Sequence, residues 1–253
     1  MGSYLSQNDD SIIVQLSKSE SILSENDFQK LSGATVNAFE NGTLVGSLTE
    51  ISAGKYALPF LPSVGKQYKI DANYNSLPQV SATTSIPKIP ENSEVITSEV
   101  QIGDLYPFLI NIQFDDNPNS RDYYQILLVY RQEGVEYDII LSFITNSEVL
   151  RNSEGDVGDS EFYHYNNALF SDDLFNGNRV NIPIRSADYI EGGEFYLRIM
   201  SVSEDYYLYR NTAISQFQVN GDPFSQPVMI YSNVENGYGV FAGYSYQDFL
   251  LDF

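Results

Sequence analysis

The 253-residue chain has no cysteine, no tryptophan and one histidine. Without thiols, disulfides, zinc–thiolate sites, iron–sulfur clusters and cysteine nucleophiles are excluded within this sequence. His164 would have to serve alone as the base of any Ser–His–acid arrangement, and no Gly-x-Ser-x-Gly elbow accompanies it. One imidazole and no thiolate also argue against a transition-metal site. No run approaches 18 consecutive apolar residues, so no segment is suited to cross a bilayer as a helix. No export signal is visible, and Met1-Gly2-Ser3 reads as a cloning remnant left after a leader was cut away.

Basic residues are few and divided by type. Residues 1–90 hold six lysines, no arginine and eight acids, a net of −2. Residues 91–253 hold seven arginines, no lysine and 26 acids, a net of −19, within a total of −21. A field of that sign repels phosphate backbones and anionic lipid heads, so nucleic acid is not an expected partner.

What the chain has in quantity is aromatic: 20 Tyr and 15 Phe, 14% of residues. Short alternating segments, punctuated by Gly, Asn and Pro, point to an all-β protein. Ile12, Val14 and Leu16 share one parity, and Ala34–Phe39 alternates before the Asn41-Gly42 hairpin signal. Lys55–Phe60 and Gln67–Ala72 read as further strands. Even positions from Phe108 to Phe114 form one apolar face, and Tyr123–Tyr130 and Tyr137–Ile144 flank a Gly134 turn. Phe195–Val202 is another strand, and Asn236-Gly237 precedes a last one with Tyr238, Val240 and Ala242 on one face. The prolines of Ile86-Pro87-Lys88-Ile89-Pro90 coincide with the Lys-to-Arg switch and mark a linker. The expected organisation is two β-sandwich domains (Ig-like or carboxypeptidase-regulatory-like), over 4–90 and 91–253. One short helix near the C-terminus is capped by Ser203, with Tyr206, Tyr209, Ala213 and Phe217 as a core-facing stripe.

Gly237-Tyr238-Gly239-Val240-Phe241-Ala242-Gly243 resembles a phosphate cradle only in composition, since no Lys-Ser/Thr follows. The adjacent acid pairs Asp115-Asp116, Asp172-Asp173 and Glu204-Asp205 suit catalysis poorly, because neighbours on a strand point apart. No catalytic residue and no metal ligand is assigned, and no cofactor is expected. The exception entertained is calcium, for which Glu154–Glu161 supplies four acids and two glycines without EF-hand spacing. The stretch 146–178 is acidic, aromatic and without clear period, and reads as one long loop. Its Tyr163, His164, Tyr165, Asp156 and Asp159 are the expected partner-binding residues, with Phe170 and Phe175 turned into the second domain's core.

The run Pro227–Ser245 closely resembles the end of a family of Bacteroidota lipoproteins catalogued as domain of unknown function 4249. Ala168–Gly177 resembles that family's middle motif and Ser201–Tyr209 its helix-start motif. Leu31–Val36, Gly54-Lys55-Tyr56 and Gly65–Tyr68 resemble its opening β-domain, so the likeness spans nearly the whole chain. The resemblance implies localisation at the outer membrane through a lipidated cysteine that this sequence does not contain. It also implies a non-enzymatic role as accessory to a TonB-dependent transporter, binding the transporter or its cargo. The alternatives are a stand-alone glycan- or peptide-binding module and a carboxylate-based hydrolase.

Overall fold

A computed structural model describes residues 1–19, 28–99, 108–150, 163–186, 193–219, 226 and 228–252. The described chain is mostly β, with one α-helix. It divides into two compact units, Met1–Lys88 with Val202–Ser245, and Ile89–Ser201 with Tyr246–Phe253.

The first unit holds β1 (Gly2–Ser6), β2 (Ser11–Gln15), β3 (Ser17–Lys18), β4 (Gln29–Lys30), β5 (Thr35–Glu40), β6 (Thr43–Ser47), β7 (Thr49–Ser52), β8 (Lys55–Pro59), β9 (Gln67–Asn73) and β10 (Val80–Ser85). The second holds β11 (Glu91–Glu99), β12 (Phe108–Asp115), β13 (Tyr123–Arg131), β14 (Ile139–Leu141), β15 (Phe143–Thr145), β16 (Tyr163–Tyr165), β17 (Ala168–Ser171) and β18 (Arg179–Ser186). β19 (Glu194–Val202) ends where the chain returns to the first unit. There α1 (Glu204–Val219) follows, and β20 (Val240–Leu250) starts in the first unit and finishes in the second.

In the first unit β1 lies between β2 and the opening half of β20, with β8 and β7 beyond β2. β1 and β20 run parallel, Gly2 opposite Val240 through Ser6 opposite Tyr244, so Met1-Gly2-Ser3 is built into the fold. A second sheet, ordered β10-β9-β5-β6, is antiparallel throughout. Alternation places Ile12, Val14, Val36, Ala38, Tyr68, Ile70 and Phe241 in a shared core. The β5–β6 hairpin turns on Asn41 and Gly42, at φ 49° and 80°, the left-handed pair that an Asn-Gly signal predicts.

In the second unit β11-β12-β18-β15-β16 form one sheet, while β13 pairs with β14 and β17 in the other. Ile110, Ile112 and Phe114 share the core with Tyr124, Ile126 and Leu128 and with Val180, Ile182 and Ile184. Phe175 and Phe170 join that core, as their sequence context suggests.

Three expectations are corrected. The single strand foreseen over 137–144 is two, because the chain changes sheet at Ser142: Leu141 pairs with Leu128, and Phe143 with Ser186. The stretch 146–178 is not one loop, since it contains β16 and β17. Their three- and four-residue lengths are too short to show a period. The aromatic stripe of α1 does not seat in the core, for Phe217 is 79% exposed and Tyr206, Tyr209 and Ala213 are only partly buried. Ser203 does cap the helix, its Oγ accepting from the Tyr206 N–H at 3.2 Å.

Candidate functional site

Two arrangements, one in each unit, carry chemistry. The first is a cavity of about 420 Å³ in the first unit. Its floor includes Leu16, Leu31 and Val234, all buried, and its rim includes Phe28, Leu77 and Tyr238. The rim side chains are large, apolar and exposed, Tyr238 to 81% and Phe28 to 68%. Local geometry explains their position. Asn75, at φ 48°, turns the chain after β9, and the Leu77 N–H bonds the Tyr74 carbonyl at 3.1 Å, lifting Leu77 to the edge. Across from it, Asn236 Nδ2 donates to the Gln79 carbonyl at 3.0 Å, and Glu235 exchanges backbone bonds with Ser81. That clamp fixes the turn presenting Tyr238. In a chain of net charge −21 the lining, among the described residues, includes Lys18 and no carboxylate. The volume and the mixture of apolar walls with few polar groups are those of a small-ligand or peptide-side-chain site.

The second arrangement is a group of three carboxylates in the second unit. Asp116 follows β12, Asp122 precedes β13 and Asp172 follows β17. One oxygen of each lies within 4.8 Å of an oxygen of the other two. Pairing of Tyr123 with Ser171 brings the latter two together, and the Asp122 N–H donates to Asp172 Oδ2 at 2.8 Å. Asp116 accepts from the Tyr124 hydroxyl at 2.6 Å on Oδ1 and from the Gly177 N–H at 2.7 Å on Oδ2. Ser120 Oγ donates to Asp122 Oδ2 at 2.9 Å. Asp172 is 1% exposed, and among the described residues its Oδ1 has no hydrogen-bond partner. Asp116 is 6% exposed, so neither of these two carboxylates stands in an open cleft.

Burial raises the Asp172 carboxyl above its ordinary value against the Asp122 N–H bond, and repulsion from Asp116 adds to it. Asp122 is raised by burial too, partly offset by Ser120, with Asp116 and Asp172 repelling it further. The Tyr124 hydroxyl is pushed well up, first by burial and then by its bond to Asp116. Arg121 does not neutralise the group by contact; its Nη2 pairs with Asp173 at 2.8 Å.

Of the residues singled out from sequence, Tyr165 is 2% exposed. Its ring stacks on Phe143 at 5.7 Å and its hydroxyl donates to the Leu150 carbonyl at 2.7 Å. Tyr163 and His164 take part in β16, opposite Thr145 and Ile144. Asp156, Asp159 and the acidic run Glu154–Glu161 lie outside the described residues. Sequence reasoning missed both arrangements above. Asp116 and Asp172 were each visible as half of an acid pair, but the meeting of Asp172 with Asp122 depends on strand pairing some 50 residues away.

A family model described as "Domain of unknown function (DUF4249)" matches residues 1–249. No curated protein matches the chain. Among solved structures, a glycosyl hydrolase family 2 member from Bacteroides cellulosilyticus DSM 14838 aligns at 14% identity, with a TM-score of 0.20. The alignment covers 78% of this chain and only 27% of that one, and a likeness so slight bears on neither fold nor activity.

Proposed function

The chain belongs to the DUF4249 family, and from that premise we propose a non-enzymatic binding protein, lipid-anchored at the outer membrane and accessory to a TonB-dependent transporter. It holds the transporter or its cargo in the first-unit cavity. The observation that supports this reading is the cavity itself: about 420 Å³, walled by apolar side chains and rimmed by exposed Phe28, Leu77 and Tyr238. Exposed aromatics beside a pocket give a partner large contact area at small entropic cost. The described lining, apolar with Lys18 at its edge, suits an apolar segment or ligand whose polar group is neutral or negative.

The test is capture from native outer membranes with the intact lipoprotein, wild type against Leu77→Glu/Tyr238→Glu. Both positions are exposed, so the fold is retained, and a bulky charge at each mouth position blocks entry. The expected result is a transporter co-purifying with wild type and reduced at least tenfold with the variant. Equal recovery with both, or no transporter with either, overturns the proposal.

Tyr74 and Tyr238 in the lining favour one second reading, a stand-alone glycan- or peptide-binding module. Binding of a sugar or peptide by the purified protein, lost in the same variant, with no transporter recovered, would select it.

A further inference from the structure

We infer that Asp116, Asp122 and Asp172 form a calcium site that fastens the loop before β13 to the turn after β17. The three carboxylates arrive from separate segments and place one oxygen each within 4.8 Å of the others. Among the described residues every donor that reaches them is neutral: a tyrosine hydroxyl, a serine hydroxyl and two backbone N–H groups. Those bonds hold the carboxylates as acceptors and leave three negative charges converging. The Arg121 guanidinium, next to Asp122 in sequence, pairs with Asp173 instead.

The independent sign is Asp172 Oδ1. A carboxylate oxygen withdrawn from water without a donor costs far more than the same oxygen exposed, so such atoms call for a partner. Asp172 is 1% exposed, and its other oxygen already accepts from the Asp122 N–H. A bound cation answers both the orphan oxygen and the convergence of charge.

The donor set selects the ion. Oxygen ligands without nitrogen or sulfur suit a hard cation, not zinc or copper. Calcium–oxygen distances of about 2.3–2.6 Å allow ligands on opposite sides of one ion to lie about 5 Å apart. Magnesium, at about 2.0–2.1 Å, demands oxygens drawn in to about 4 Å and a near-ideal octahedron. Three oxygens all within 4.8 Å of one another fit around a calcium ion, whose tolerant geometry also suits ligands arriving from three separate segments. Calcium's remaining positions can be filled by second carboxylate oxygens and water.

The experiment uses the full chain after EDTA treatment and buffer exchange. Thermal unfolding is followed with and without calcium chloride, and terbium luminescence sensitised by Tyr124 reports the ion directly. Calcium at a hundredfold excess over its Kd should raise Tm by about 5 °C. D172N should abolish that rise and cut terbium emission at least fivefold, while melting no lower than the EDTA-treated wild type. Should D172N fold poorly, D122N carries the same test, since Asp122 is only partly buried and its backbone contacts are untouched. D156N/D159N should keep the full response. No response to calcium in wild type, a response retained in both D172N and D122N, or one lost in D156N/D159N would each overturn the site.

Discussion

Gly239 and Gly243 show what the glycine-rich C-terminal run is for. Gly239 sits at φ +126°, where a side chain would meet the Met1 carbonyl, and a Cβ on Gly243 would run into the Ser85 carbonyl. Both are places where one backbone passes directly against another. Gly243→Ala should therefore cost about 2–4 kcal/mol, since the obstacle is main chain and cannot rotate aside; urea unfolding measures it. An unchanged midpoint would mean that the Ser85 segment yields freely. The spacing of these glycines is legible in the sequence, whereas the segments they press against are not, because Ser85 lies 158 positions away in the chain. Asp172 and Asp173 divide in the same way. They follow β17 in a turn, where strand alternation does not apply, and one is buried while the other is exposed. Which neighbours the buried one meets is decided by β13 pairing with β17.

Among elements, α1 and the strands around Asp248 are held by different means. The helix start was readable, Ser203 being a good cap, and Asp205 is tied to the Tyr231 hydroxyl at 2.8 Å. Its aromatic spacing misled because periodicity records which side chains share a face, not whether a sheet lies beneath that face. In the second unit, Arg131 and Arg198 alternate with Asp138 and Asp248 in a closed ring of contacts at 2.6–2.8 Å. Tyr196 and Tyr246 lie under the two guanidiniums at 4.3 and 4.2 Å. Hydrogen bonding from Arg131 is the main cause that depresses Asp138, against burial. For Asp248 burial acts upward, yet bonds from Arg198 and Arg131 outweigh it and leave the carboxyl below 3.8. A depressed carboxyl stabilises the fold above its unfolded pKa and stops doing so as pH falls through the folded one. Asp248→Asn should thus cost about 2 kcal/mol at pH 7, between exposed and buried ion pairs. The gap from wild type should close as pH drops below 3.8, read from denaturant midpoints across that range. A gap that stays constant down to pH 2.5 would show that the ring's charge contributes nothing.

At the scale of the molecule, alternation and turn chemistry make the β class readable. The prolines at 87 and 90 stand where the chain leaves the first unit. Nothing local announces that Val202–Ser245 packs with the first 88 residues, because a returning segment carries no signature of its destination. Residues 1–90 expressed alone lack the β20 segment that pairs with β1 and the Phe241 side chain in the core. That fragment should melt without cooperativity. Joining 1–88 to 202–245 through a flexible linker should restore a sharp transition, followed by circular dichroism. A cooperative melt of 1–90 alone would contradict this dependence.

The parallel ladder between β1 and β20 also sets a clock on the chain's birth. About 230 residues separate Ser6 from Val240, so a ribosome adding about 5–20 residues per second leaves the edge of β1 without its mate for on the order of 10–50 s. Throughout that interval the nascent chain offers an unclaimed strand edge to whatever is near, and a stalled or truncated product would keep offering it. Quality control that recognises open β-edges would therefore single out incomplete copies from finished ones.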